Sequence, residues 1–151
     1  MGFSLAGAAV SLAILAPDAL LIFFRPVDTA PPIRSPRLLT WLERGGQALC
    51  LVAPALTGQD PSDPWWLAAV IACIAVYIAL WARYLATGRR FATLYAPLGP
   101  IPVPMAVFPI AAFLLAAAWL GSGWSALAAV ILAAGHIPLA LASARATRAL
   151  L

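Results

Sequence analysis

Apolar residues occupy this chain in five long runs, at about residues 3–24, 38–57, 65–86, 102–120 and 124–144. Polar residues collect in the short connections between the runs. Each run holds roughly 17–23 residues, and about 20 helical residues at 1.5 Å each cross a hydrocarbon core of ~30 Å. The pattern predicts an all-α integral membrane protein: one domain over residues 1–151, folded as a compact bundle of five transmembrane helices.

The second run is the exception, because Glu43-Arg44-Gly45-Gly46-Gln47 sits inside it. Such a segment also suits an amphipathic helix lying in the membrane interface, which would leave four crossings. Charge in the connections separates the two readings. Arg25, Arg34 and Arg37 follow the first run, Arg89 and Arg90 the third, and Arg145 and Arg148 the fifth. The connection at residues 58–64 carries Asp60 and Asp63 without a cation, and Gly121-Ser122-Gly123 is neutral. Five crossings gather all those arginines on one side, whereas four would move Arg89 and Arg90 away from the first group. The positive-inside rule then favours five, with the N-terminus outside and the C-terminus cytoplasmic.

Composition agrees with a bilayer as solvent. The chain is 64% hydrophobic and 9% charged, with a mean hydropathy of +0.98, against about 25% charged residues in soluble domains. A net charge of +4 raises nucleic acid as a partner, but the arginines flank apolar runs, so the partner is the lipid bilayer and nucleic acid is not expected. The absence of lysine and asparagine, beside abundant alanine, glycine, proline and arginine, reads as a GC-rich bacterial coding bias. That points to a bacterial inner membrane. No basic stretch precedes the first run, so it is not read as a cleaved signal peptide.

Chemical motifs are scarce. Cys50 and Cys73 lie inside apolar runs without C-x-x-C spacing, and read as small packing residues. No H-E-x-x-H, G-x-S-x-G or phosphate-binding glycine loop occurs. Neither a metal nor a cofactor is expected.

The residues that stand out are polar ones where lipid or core is expected: Asp18, Glu43, Arg44, Gln47, Tyr77, Arg83 and His136. An ionisable group inside a transmembrane helix marks a ligand or proton site by default. Counted from the nearest flanking arginine, Asp18, Glu43 and Arg83 lie roughly 10 Å deep, and Gln47 and His136 roughly 13–15 Å. All fall in the arginine-side half. If the second and third helices form a hairpin, Gln47 meets Tyr77, Cys50 meets Cys73, and Arg83 comes within about a turn of Glu43.

Each residue also has a purely structural reading. Glu43 with Arg44 or Arg83 could be an ion pair that lowers the cost of burial. Arg83 could snorkel to the interface. His136 could bond a carbonyl freed by Pro138. Asp18, next to Pro17, has no basic residue within a turn and resists such an account most. Pro17, Pro54, Pro109 and Pro138 are expected to kink helices, and residues 97–104 to run extended and polyproline-like.

Three function classes remain open: a protein that binds or transports a small solute, ion or lipid through this cluster, as a homo-oligomer if it transports; a membrane-embedded enzyme acting on a lipid or isoprenoid; and a non-catalytic subunit of a membrane complex.

Overall fold

A computed structural model describes residues 2–29, 31–57 and 63–150. Asp60, and with it most of the acidic connection, lies outside them. Helices dominate and, among the described residues, no strand forms beyond two isolated bridges. The first apolar run gives α1 (Leu5–Leu15), a 3-10 turn (Ala16–Ala19) and α2 (Leu20–Phe23). Then come α3 (Arg37–Val52) with a 3-10 turn (Pro54–Leu56), α4 (Pro64–Ala86), the short α5 (Phe91–Leu94), α6 (Pro104–Trp119) and α7 (Gly123–Arg148).

Three stretches are long and apolar enough to cross a membrane: Leu5–Phe23 with 19 residues, α4 with 23 and α7 with 26. Helix α6 is apolar but has 16 residues, and α3 is amphipathic. Large apolar side chains cover the outside; Trp65 is 81% exposed, Phe23 77%, Leu5 76% and Trp41 73%. Water would not tolerate that surface, and a bilayer solvates it. By length and composition these are the helices of a membrane protein.

The prolines act in two ways. Pro17 and Pro54 cannot donate the α-helical hydrogen bond, and at both the helix tightens into a 3-10 turn. Pro109 and Pro138 instead sit inside unbroken helices. Residues 97–104 depart from the polyproline expectation. Leu98 and Ile101 exchange both backbone hydrogen bonds, at 3.0 and 3.1 Å, around Gly99-Pro100. Gly99 has φ +55°, which a side chain would resist, so a two-residue turn forms where glycine permits it.

Packing follows the small residues. Helix α3 lies antiparallel along α7, with Gly46 against the backbone of Leu132 and Gly135 against that of Glu43 and Leu39. A Cβ on Gly46 would fall 2.5 Å from Leu132 Cα, and one on Gly135 2.4 Å from Glu43 N, so neither site admits even alanine without movement. Helix α6 packs between α4 and α7 and is the most enclosed element. Helix α1 runs antiparallel to α3: Ser4 N–H donates to Ala55 O at 2.7 Å, and Ser11 Oγ to Cys50 O at 2.9 Å.

These contacts sort the bundle into two ends. At one, Thr57 Oγ1 lies 3.1 Å from Ser122 Oγ, joining the end of the α3 segment to the start of α7. At the other, Val27 N–H donates to Arg89 O at 3.0 Å, and Phe91 N–H to Asp28 Oδ1 at 2.6 Å. A core of Ile14, Cys50, Ile110, Phe113, Ala129 and Leu132 fills the middle, with Cys73 packed against it. Both cysteines are free thiols in that one core.

Candidate functional site

The 3-10 turn at Pro17 carries Asp18, and α4 presents Tyr77 one bond away. The Tyr77 hydroxyl donates to Asp18 Oδ1. Tyr77 is 2% exposed and Trp81, one turn further along α4, is 3% exposed. Tyr77, Trp81 and Tyr84 form an edge-to-face aromatic ladder with centroids 6.3 and 5.6 Å apart. Tyr84 fixes the end of the first span, because its hydroxyl donates to Phe24 O at 2.8 Å.

On the other side of the site, His136 Nδ1 lies 2.5 Å from Glu43 Oε1. The contact follows directly from the glycine packing: Gly135 draws the α3 backbone in at Glu43, and the next residue of α7 meets the carboxylate. Bonded through Nδ1, the imidazole keeps Nε2 for another partner. Neither side chain is sealed off, with His136 30% and Glu43 24% exposed.

Two cavities share His136, Tyr95 and Ala140. One, of about 100 Å³, is lined by Asp18, Tyr77, Trp81, Tyr95 and His136, with Leu21, Leu94, Val103, Met105 and Ala106 as apolar wall. The other, of about 270 Å³, is lined by Glu43, Thr40, Ser35, Tyr95, His136 and Ser143. A third, of about 300 Å³, lies between residues 92–97 and the end of α7, with Arg148 at its edge. Tyr95 borders all three. Burial pushes the Tyr95 phenol above its ordinary value; Ser143 opposes the shift and the Glu43 carboxylate adds to it. The phenol therefore stays neutral at physiological pH.

Asp18, Tyr77, Glu43 and His136 are thus drawn around one pair of cavities. The other three residues singled out in the sequence are not. Arg83 turns away from Glu43; its Nη2 donates to Ala96 O at 3.4 Å and, more weakly, to Thr93 O at 3.5 Å. The expected Glu43–Arg83 pairing is replaced by Glu43–His136 because α3 packs on α7, and α4 packs on α6. Arg44 is exposed on the outer side of α3, without a hydrogen-bond or ion-pair partner among the described residues. Gln47 is half-buried and lines none of these cavities. Nor does His136 bond the carbonyl freed by Pro138; it takes the carboxylate.

Comparison with protein-family models, curated proteins and solved structures finds no match for this chain. The site has to speak for itself.

Trp81 and Tyr95 belong to the site although neither stands out in the sequence. An aromatic residue within an apolar run has no signature separating a cavity wall from a core or a lipid contact. Trp81 does carry one polar atom, a buried indole N–H that interacts with the Tyr77 phenol.

Proposed function

We propose that the chain is a bacterial inner-membrane protein of five crossings that binds or transports a small solute. Its site is the pair of cavities around His136. The observation carrying this reading is a carboxylate–imidazole–carboxylate series, Asp18, His136 and Glu43, lining two adjacent cavities that share His136 inside an apolar bundle. Charged residues are retained in lipid-embedded helices where they handle ions or protons, and Asp, Glu and His in sequence form proton relays. His136, held through Nδ1 by Glu43, keeps Nε2 to pass or hold a proton.

The five-crossing topology draws support from two features. The α3 segment runs beside α7 from about Leu39, near Gly135, to Thr57, near Ser122; a helix so aligned with a spanning helix crosses with it. The contacts of Val27 with Arg89 and of Asp28 with Phe91 bring the first and third arginine groups to one end. That end is cytoplasmic, with the N-terminus outside. The residues that line the cavities lie on the arginine side of the core of Ile14, Cys50, Phe113 and Leu132. A transporter would have to open a path past that core to reach the other side.

Native mass spectrometry of the detergent-purified protein tests the reading. Wild type is expected to carry a small-molecule adduct that Asp18→Asn and Glu43→Gln lose while remaining folded. A wild-type protein free of adducts, or one whose adducts survive both changes, would remove the cavities as the site.

A further inference from the structure

Arg44 stands out in the sequence, yet the site around His136 leaves it aside. At about 100° per residue, Arg37, Trp41, Arg44 and Ala48 fall within roughly 60° of the circumference of α3. All four are exposed, Trp41 by 73%. The stripe lies opposite Gly46, the residue that seats α3 on α7, so it faces away from the bundle. Beside it, Gly45 has nothing within 4 Å. With α3 crossing the membrane as proposed above, on which the inference rests, Arg44 sits about 10 Å deeper than Arg37. We infer that this outer face of α3 is a docking surface for one anionic phospholipid of the cytoplasmic leaflet. The phosphate would bind Arg37 and Arg44, the glycerol region would lie on Trp41, and an acyl chain would run over Gly45 and Ala48.

Charge complementarity names the occupant. A guanidinium at that depth is expensive in hydrocarbon and needs an anion. The described carboxylates on the arginine side are engaged elsewhere: Asp18 accepts from Tyr77, Asp28 from the Phe91 N–H, and Glu43 takes His136. Helical side chains lean toward the N-terminus of their helix. Arg44 therefore reaches back past Trp41 toward the headgroups, its methylenes in the apolar layer. Phosphate is the anion at that level, and a guanidinium grips it through two parallel N–H donors. A choline headgroup neutralises its own phosphate, whereas phosphatidylglycerol keeps a net negative charge for the arginines to meet. A second copy of the chain fits this face less well. Two copies about a two-fold axis would set Arg44 against Arg44 and Arg37 against Arg37, a like-charge contact that low-dielectric surroundings make costly.

Native mass spectrometry in an uncharged detergent, with phosphatidylglycerol or phosphatidylcholine of identical chains titrated in, tests the inference. The first phosphatidylglycerol is expected to bind about tenfold or more tightly than the first phosphatidylcholine. Arg44→Gln and Arg37→Gln should each remove a large part of that preference, and Arg44→Lys should keep more of it than Arg44→Gln. Both arginines are exposed, so these changes leave the packing intact. Arg90→Gln is the control: Arg90 is exposed at the same end of the bundle but off α3, and its loss should leave the preference in place. Equal affinity for the two lipids, a preference that survives both glutamine variants on α3, or an equal loss in Arg90→Gln would overturn the docking surface. A dimer that Arg44→Gln dissociates would assign the face to a second copy and overturn it as well. Failure of the underlying crossing reads out separately, because cysteines at Ser35 and Ser62 would then label alike in intact cells. Labelling at Ser62 alone, on a protein without the lipid preference, overturns the docking surface and leaves the crossing standing.

Discussion

Glu43 and His136 illustrate how a residue's chemistry is readable from sequence while its partner is not. Both stand out as ionisable groups in apolar runs, and their depths agree. What the sequence does not disclose is which helix each faces, since the obvious neighbour of Glu43 is Arg83 in the next run. The pair formed instead, at 2.5 Å, makes its own prediction. Glu43→Gln and His136→Gln should each lower stability by about 1 kcal/mol, because each weakens a part-buried, charge-assisted hydrogen bond. The double variant should lose clearly less than the sum, as read by thermal unfolding in detergent. Additive losses would mean that the contact contributes nothing. Asp18 was legible for a different reason: Pro17 opens the helix beside it, and a carboxylate there needs a partner. Tyr77 supplies it. Trp81 and Tyr95 were not legible, because their roles come from where α4 and the 91–103 segment fold, and nothing local marks that.

At the scale of helices, two glycines decide the arrangement that the hairpin assumption missed. Consecutive helices often pack as neighbours, yet α3 crosses the bundle to α7 because Gly46 and Gly135 permit backbone contact over a small-residue seam. In lipid no hydrophobic drive holds α3 to its chain neighbour, so the closest-fitting surface wins. The Gly45-Gly46 pair was recognisable as an approach site, but two adjacent glycines on a helix face in different directions. Gly45 looks into open space and Gly46 into Leu132. Gly135→Ala should therefore cost about 3 kcal/mol or more and disturb the Glu43–His136 contact, since its Cβ would meet Glu43 N at 2.4 Å. Gly45→Ala, with nothing within 4 Å, should be neutral or slightly stabilising. Thermal stability of the two variants side by side checks this; similar melting temperatures would deny the seam its role. The turn at Gly99 shows the same limit on reading prolines: Pro97, Pro100, Pro102 and Pro104 suggest an extended strand, but one glycine at φ +55° closes the chain on itself.

For the molecule as a whole, the helical class was legible from the apolar runs alone, and the observed helices, apart from the short α5, fall on the five expected blocks. The number of crossings turns on α3, whose sixteen residues are too polar to count as a span by composition. Its length is what supports the crossing proposed for it: α3 and the following 3-10 turn together extend about 30 Å, the thickness of the hydrocarbon core. An interfacial α3 would have to leave its seam along α7, exposing Gly46 and Gly135 and separating Glu43 from His136. Cysteine labelling in intact cells tests this, in a background carrying Cys50→Ala and Cys73→Ala so that native thiols are silent. Single cysteines at Ser35 and Ser62 bracket the α3 segment, and one at Ala149 reports the C-terminus. With five crossings, an impermeant maleimide labels the Ser62 site and leaves those at Ser35 and Ala149 unreacted until the cells are opened. If α3 lies in the interface, the Ser35 and Ser62 sites must label alike, because no crossing separates them. Labelling at Ser35 and Ala149 but not Ser62 would keep the five crossings and invert the protein, turning the Asp18 cavity toward the outside.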